Sequence, residues 1–177
     1  MDIEVIVATD YCRGFAKNLE IPWNISWDMK HFKRITTSTN GSKINVVIMG
    51  RKTYEHMSRL LPNRINIIVT TNKEYAIIDD RNIEHYICHS YTDAINLCKT
   101  LHNIGKIFII GGSKLYTESI EQGNVKYIHK TVVHGDFKCD TMFPEIPTEY
   151  KLVIQSNNIV EGNYTFHTEL WSLDLNN

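Results

Sequence analysis

Five short segments constrain this chain more than anything else in it. Val5-Ile6-Val7-Ala8, Asn45-Val46-Val47-Ile48-Met49, Asn66-Ile67-Ile68-Val69, Tyr86-Ile87-Cys88 and Ile107-Phe108-Ile109-Ile110 are β-branched and almost unbroken in apolar character. A strand with one wet face alternates polar and apolar side chains, whereas an unalternating run describes a strand covered on both faces. Helical patterns lie between the runs, from Trp27 to about Ile35, Arg51 to about Arg59, Thr92 to about Leu101 and Ser113 to about Ile120. After Val125 the character changes. Val125 to Val133, Lys151 to Gln155 and Tyr164 to Trp171 read as strands joined by turns, with no long helix. The expectation is an α/β fold with a mostly parallel central sheet, antiparallel C-terminal strands and about four helices.

At 177 residues, 42% hydrophobic and 22% charged, the chain has the size and mixture of one domain with an ordinary core, expected over residues 1–177. The formal net charge of −1 lacks the basic footprint of a non-specific nucleic-acid binder, so no nucleic-acid partner is expected. Met1-Asp2-Ile3-Glu4 is an acidic start unlike a secretory leader, and no apolar run reaches the ~18 residues of a membrane span. Cys12, Cys88, Cys98 and Cys139 are scattered and form no C-x-x-C pair. They read as free thiols, which points to a cytoplasmic protein away from membranes. His85 and His89 flank Cys88 at a metal-like spacing, but the context is strand-like and no second ligand pair exists, so no metal site is expected.

Two strand-to-helix corners carry chemistry. In Val47-Ile48-Met49-Gly50-Arg51-Lys52-Thr53 a strand ends on glycine and a helix begins on two cations and a hydroxyl. Cations oppose the positive end of a helix dipole, and a bound phosphate would account for them, although an exposed polar first turn would too. Phe108-Ile109-Ile110-Gly111-Gly112-Ser113-Lys114 repeats the arrangement with two glycines. Ligands of open α/β sheets sit outside the carboxyl ends of the strands, so two such corners suit an extended ligand with more than one phosphate. A tight turn explains Gly-Gly equally well. A third feature is Asp28, which shares a helix face with Phe32 and Ile35 by the i, i+4, i+7 rule. Burial raises a carboxylate's pKa and a helix N-terminus lowers it. That balance suits a group that binds an N–H-rich ring and influences its protonation, or else Asp28 is a capping residue facing water.

Along nearly its whole length the chain resembles dihydrofolate reductase, in its monofunctional, single-domain form. The shared pieces, in order, are Ile6-Val7-Ala8, Gly14-Phe15-Ala16-Lys17-Asn18, Ile21-Pro22-Trp23, Asp28 with Phe32-Lys33-Arg34-Ile35-Thr36, and Val47 to Thr53. Leu61-Pro62-Asn63-Arg64-Ile65-Asn66-Ile67-Ile68, Ile109 to Ser113 with Leu115-Tyr116, Thr131, and Asp140-Thr141-Met142-Phe143-Pro144 complete the set. The resemblance implies a three-layer dihydrofolate reductase-like fold and NADPH-dependent reduction of 7,8-dihydrofolate. Hydride would pass to C6 and N5 would be protonated, giving tetrahydrofolate for thymidylate and one-carbon metabolism. It also implies that folate-analogue inhibitors bind and that the protein acts as a monomer.

By that resemblance Asp28 holds the pteridine ring and promotes protonation of its imine, and Trp23 orders an active-site water. Ile6, Val7, Phe32 and Ile110 would be apolar walls, Leu61 would lie beside the benzoyl ring, and Thr131 would bond Asp28. Arg64 would take the α-carboxylate of the glutamate tail, with Arg59 a looser tail contact. For the cofactor, Gly50, Arg51, Lys52 and Thr53 together with Gly111, Gly112, Ser113, Lys114, Leu115 and Tyr116 would grip the pyrophosphate and riboses. Ala8 would lie near the nicotinamide amide. Arg51, Thr70 and Thr71 would face the 2′-phosphate, with His89 at the neighbouring strand end. Gly14, Phe15, Ala16, Lys17, Asn18, Leu19 and Glu20 would form the mobile loop that closes over the nicotinamide.

Ala16 and Leu19 stand where many relatives carry glycine. Positive φ at either would cost on the order of 1 kcal/mol. Two other readings stand beside this one: a pyrimidine reductase of riboflavin synthesis, which shares the fold and cofactor but whose substrate lacks the glutamate tail that Arg64 would read, and a folate- and NADPH-binding protein that keeps the pocket with little turnover.

Overall fold

The computed structural model describes residues 1–78 and 81–174. In chain order the elements are β1 (Ile3–Thr9), β2 (Gly14–Ala16), α1 (Ser26–Thr37), β3 (Ile44–Gly50), α2 (Arg51–Met57), β4 (Ile65–Val69) and β5 (His85–Cys88). They continue with α3 (Tyr91–Thr100), β6 (Ile104–Ile109), α4 (Ser113–Glu121), β7 (Val125–Val133), β8 (Thr141–Met142), β9 (Tyr150–Gln155), β10 (Ile159–Glu161) and β11 (Tyr164–Leu173). The main sheet runs β10-β11-β7-β1-β6-β3-β4-β5, with β9 also on β11, and β2 pairs with β8 in a small ribbon. Every pairing from β5 through β7 is parallel, and antiparallel pairing begins where β11 meets β7. Because β6 returns between β1 and β3, the strand order reverses at the middle of the sheet, and the carboxyl ends of β1, β3, β4 and β6 share one edge.

The apolar runs are explained by what covers them. Val46 and Ile48 join Val5, Val7, Ile107 and Ile109 in one core, under Tyr91, Ala94 and Cys98 of α3 and Leu115 and Ile120 of α4. Their neighbours Val47 and Met49 join Ile6, Ile68, Phe108 and Ile110 in a second core on the opposite face, against Phe32 and Ile35 of α1 and Tyr54 and Met57 of α2. Alternate residues of one strand therefore fill different cores, and a polar side chain fits in these strands only where its hydrogen bonds are met inside the protein. A fully buried Val or Ile contributes roughly 1.5–3 kcal/mol, so the doubly covered strands hold the sheet edge rigid beneath whatever binds there.

Three polar side chains stand out within these runs. Asn45 donates to the carbonyls of Thr36 and Ser38, at 3.0 and 2.9 Å, and so closes the C-terminus of α1. Asn66 is buried, accepts from Leu61 N at 2.8 Å and donates to the carbonyls of Leu61 and Arg64, both at 2.9 Å. Glu4 has no exposed surface, with Lys106 Nζ at 2.7 Å and His129 Nε2 at 2.6 Å. Burial pushes the Glu4 carboxyl up, but its contacts with His129 and Lys106 outweigh burial and hold it below the usual range.

Candidate active site

The two glycine corners meet. Gly50 N donates to Gly111 O at 2.8 Å, which draws the starts of α2 and α4 together at the sheet edge. Gly111 has φ +112, and a Cβ there would stand 3.2 Å from the Tyr116 hydroxyl, so this position requires glycine on both counts. Neither α2 nor α4 has a side-chain N-cap. Their first-turn N–H groups are left to the cleft, beside Arg51, Lys52, Thr53, Ser113 and Lys114. This cleft, of about 610 Å³, extends over Val69, Thr70, Thr71 and His89 on one side and Phe15, Ala16 and Leu19 on the other, with Gly50, Gly112 and Leu115 among its lining. His89 Nδ1 lies 2.9 Å from Thr70 O and ties the ends of β4 and β5 together. Arg51 is held 3.1 Å from Glu55 and lies over the Tyr75 ring.

The segment after β1 borders the same cleft. Gly14 N donates to buried Asp10 at 2.7 Å, and a Cβ on Gly14 would collide with Cys139. Ala16 is extended within β2 and buried. Lys17 and Glu20 exchange both backbone hydrogen bonds around Asn18 and Leu19, whose φ values are +50 and +68. Two central residues with positive φ make a hairpin turn of the type I′ kind. Of the two positions without glycine, then, Leu19 carries the strain and Ala16 does not. Asn18 N donates to Asp140 Oδ2 at 2.7 Å, which ties the turn to the segment before β8 and holds the Asp140 carboxyl below its usual range.

A second set of the expected site residues lies along α1. Asp28, in its first turn, accepts from Thr131 Oγ1 at 2.7 Å. Burial raises the Asp28 carboxyl, and the Thr131 bond only partly opposes this. Tyr116 donates to Ile6 O at 3.0 Å, and its hydroxyl is pushed up by burial and then by the Asp28 charge. The Trp23 indole is buried, and its Nε1 has no hydrogen-bond partner among the described residues. Ala8 pairs with Thr131 in the β1–β7 register and packs beside Trp23 and Ile25. Ile6, Ile110, Leu61 and Phe32 form one apolar cluster. Val7 belongs to the opposite core, because strand alternation turns its side chain away from that wall; Ile6 alone supplies the β1 side.

At the far end of α1 sits Arg64, only 4% exposed. Its Nε donates to Pro62 O at 3.0 Å and its Nη1 to Thr36 Oγ1 at 2.8 Å, with the guanidinium over the Phe32 ring. A guanidinium has five N–H donors. Two are used, which leaves three, and no carboxylate pairs with Arg64 among the described residues. Arg59 is exposed, and its charge adds to burial in lowering the Arg64 pKa, which places the two cations near one another.

Comparison with known proteins gives the family. A family model described as dihydrofolate reductase matches residues 2–172. The chain belongs to the dihydrofolate reductase family. A dihydrofolate reductase of Staphylococcus aureus is 33% identical over 173 residues, covering 96% of each chain. One from Aedes albopictus is 30% identical over 89% of this chain and 87% of its own length. A bifunctional dihydrofolate reductase-thymidylate synthase of Glycine max is 32% identical over 93% of this chain. The chain spans about a third of the length of that and similar plant relatives.

Within this dihydrofolate reductase fold, sequence reasoning had missed Asn66, Asp140 and Thr36 as site-supporting residues. Asn66 was concealed inside an apolar strand pattern. Asp140 was visible only as part of a shared motif, and Thr36 as the end of one. Among the described residues no helix is long and apolar enough to cross a membrane.

Proposed function

We propose that this protein reduces 7,8-dihydrofolate to tetrahydrofolate with NADPH. The observation that carries the reading is a half-buried carboxyl, Asp28, in the first turn of α1 and a buried guanidinium, Arg64, bonded to its last turn. Asp28 and Thr36, which holds Arg64, are eight residues apart, or about 12 Å along an α-helix. Between them runs an apolar wall that includes Phe32. A ligand with an N–H-rich ring at one end, a flat apolar middle and a carboxylate at the other satisfies both groups, and dihydrofolate has that layout. A pyrimidine of riboflavin synthesis has no carboxylate for Arg64.

The donor set at the glycine corners fits a dinucleotide phosphate. Uncapped N-termini of α2 and α4, with Arg51, Lys52, Thr53, Ser113 and Lys114, would hold the pyrophosphate and riboses; Arg51, Thr70, Thr71 and His89 would take the 2′-phosphate. A dinucleotide held by these residues would supply a hydride for C6 of the pterin. The chain's own residues do the rest. Asp28 orients the ring through two of its N–H groups, and its raised proton affinity favours a proton near N5. The Trp23 Nε1, which has no partner among the described residues, would donate to a water beside that ring. Ala8 and the turn from Lys17 to Glu20, fastened by Asp140, would cover the reacting rings and exclude bulk water. The same reading makes the protein a monomer that binds folate analogues, and its four free cysteines support a cytoplasmic location.

The test is oxidation of NADPH by purified protein with dihydrofolate, beside NADH and an Asp28→Asn control. Turnover that prefers NADPH and falls in the variant, most at neutral and high pH, is the expected result. Binding of both ligands without turnover would overturn catalysis and leave a binding protein.

A further inference from the structure

We propose that Glu161 is a positioning residue for Asp28, acting through the first turn of α1; the inference rests on the Asp28 role given above. A helix needs its first N–H groups satisfied, usually by Ser, Thr, Asp or Asn at the N-cap. Here the N-cap is Ile25, extended at φ −119 and ψ 107, with no side-chain bond to offer. The missing acceptors come from 135 and 134 residues away. Glu161 Oε1 accepts from Ser26 N at 2.6 Å and Oε2 from Trp27 N at 3.0 Å. One carboxylate thus spans the two N–H groups immediately before Asp28, in the charge-assisted form that makes such bonds short and strong.

The rest of the contact shows that this cap is built in. Glu161 ends β10 and pairs with Tyr164 across a turn in which Gly162 has φ +58. Ile159 and Tyr164 of the same hairpin pack against the cluster of Trp23, Ile25, Val133 and Phe166. Trp27 lies 5.3 Å from the Phe166 ring. The hairpin therefore holds the whole segment from Trp23 to Asp28, and Glu161 fixes the angle at which α1 leaves it. Asp28 must reach Thr131 Oγ1 at 2.7 Å and a ligand ring at the same time, so a frayed first turn would move both. Among the described residues no hydrogen bond joins this hairpin to the cofactor corners at Gly50 and Gly111, so a defect at Glu161 should be confined to the pterin side.

Three proteins decide the matter: wild type, Glu161→Ala, which removes both acceptors, and Glu161→Gln, which keeps one and folds with a smaller perturbation. Measured well below each variant's Tm are the Kd of a 2,4-diaminopyrimidine ring ligand, the Kd of NADPH, and kcat and KM for dihydrofolate. Glu161→Ala should weaken ring-ligand binding and lower kcat/KM by about tenfold, leave the Kd of NADPH within about twofold, and be largely rescued in Glu161→Gln. A lower Tm with unchanged ring affinity and unchanged kcat/KM would make Glu161 a stabilising cap only and overturn the proposal. Equal weakening of NADPH would overturn it also. Wild-type turnover tests the reductase reading separately, because ring affinity reports on Glu161 whether or not hydride is transferred.

Discussion

Replacing Arg64 by leucine tests the carboxylate-reading role at a residue whose surroundings can be counted. The guanidinium gives one N–H to Pro62 O and one to Thr36 Oγ1, and three donors remain for a ligand. A bidentate carboxylate would take two of them. Hydrogen bonds to charged groups contribute about 1.5–3 kcal/mol each, so losing the pair should cost roughly 3–6 kcal/mol of binding. At about 1.4 kcal/mol per factor of ten, KM for dihydrofolate should rise by roughly two to four orders of magnitude. Folding should suffer far less. Thr36 Oγ1 still donates to Phe32 O at 2.8 Å, and the leucine removes a buried cation that has no protein counter-charge among the described residues.

The assay compares KM for dihydrofolate with that for a pterin lacking the glutamate tail, in wild type, Arg64→Leu and Arg64→Lys. Lysine keeps the charge but lacks the planar fork, and should recover about half of the lost free energy. The tail-less substrate should be almost indifferent to all three. Equal losses for both substrates would refute the reasoning, because the arginine would then be supporting the loop from Leu61 to Arg64 and not reading a ligand.

Three further outcomes are expected. Leu19→Gly should be neutral or stabilising by up to about 1 kcal/mol, since relief of positive φ offsets the entropy of glycine, while Ala16→Gly in extended β2 should cost about 0.5–1 kcal/mol; urea denaturation that reversed this order would contradict the turn geometry. Asn66→Ala removes three buried hydrogen bonds, should destabilise the protein by about 3 kcal/mol and should raise KM for dihydrofolate, both measurable by denaturation and steady-state kinetics. Asp28→Asn should stabilise the fold increasingly as pH rises. The folded carboxyl has a pKa above its ordinary 3.8, so below 3.8 both states are protonated and no penalty exists. Above it the unfolded chain ionises first, and wild-type stability falls until the folded group ionises too. A Tm difference between variant and wild type that is flat from pH 3 to pH 7 would contradict the raised pKa.

The parts of the site legible in the sequence are those written in consecutive residues. Gly50 and Gly111 could be read because a strand pattern stops on them and a helix pattern starts, and Asp28 because helical spacing puts it over Phe32. Helix and strand positions followed from the same periodicities, with ends displaced by a residue or a few: α2 stops at Met57, where Ser58 turns left-handed at φ +53. What could not be read depends on residues far apart. β2, β8 and β10 have three, two and three residues and no period to detect. Asn66 looks like a tolerated polar residue in a strand, and only the fold reveals that it holds Leu61 and Arg64. The side to which Val7 points also waits on the sheet, since a doubly buried run shows no preferred face.

These long-range contacts have a common object, which is α1. A helix of 12 residues is marginal in isolation, and this one buries only Thr36 fully. Its position is therefore imposed from outside: Glu161 holds its first turn, Asn45 closes its last carbonyls, and Thr131 and Arg64 engage it near either end. The two groups assigned to the substrate sit on or against this tethered rod, whereas the groups assigned to the cofactor spring from the ends of β3 and β6, which both cores clamp. Substrate and cofactor sites thus draw on supports of different strength. Loosening any anchor of α1 should weaken pterin binding well before NADPH binding, and weakening of the central strands should abolish both together with the fold.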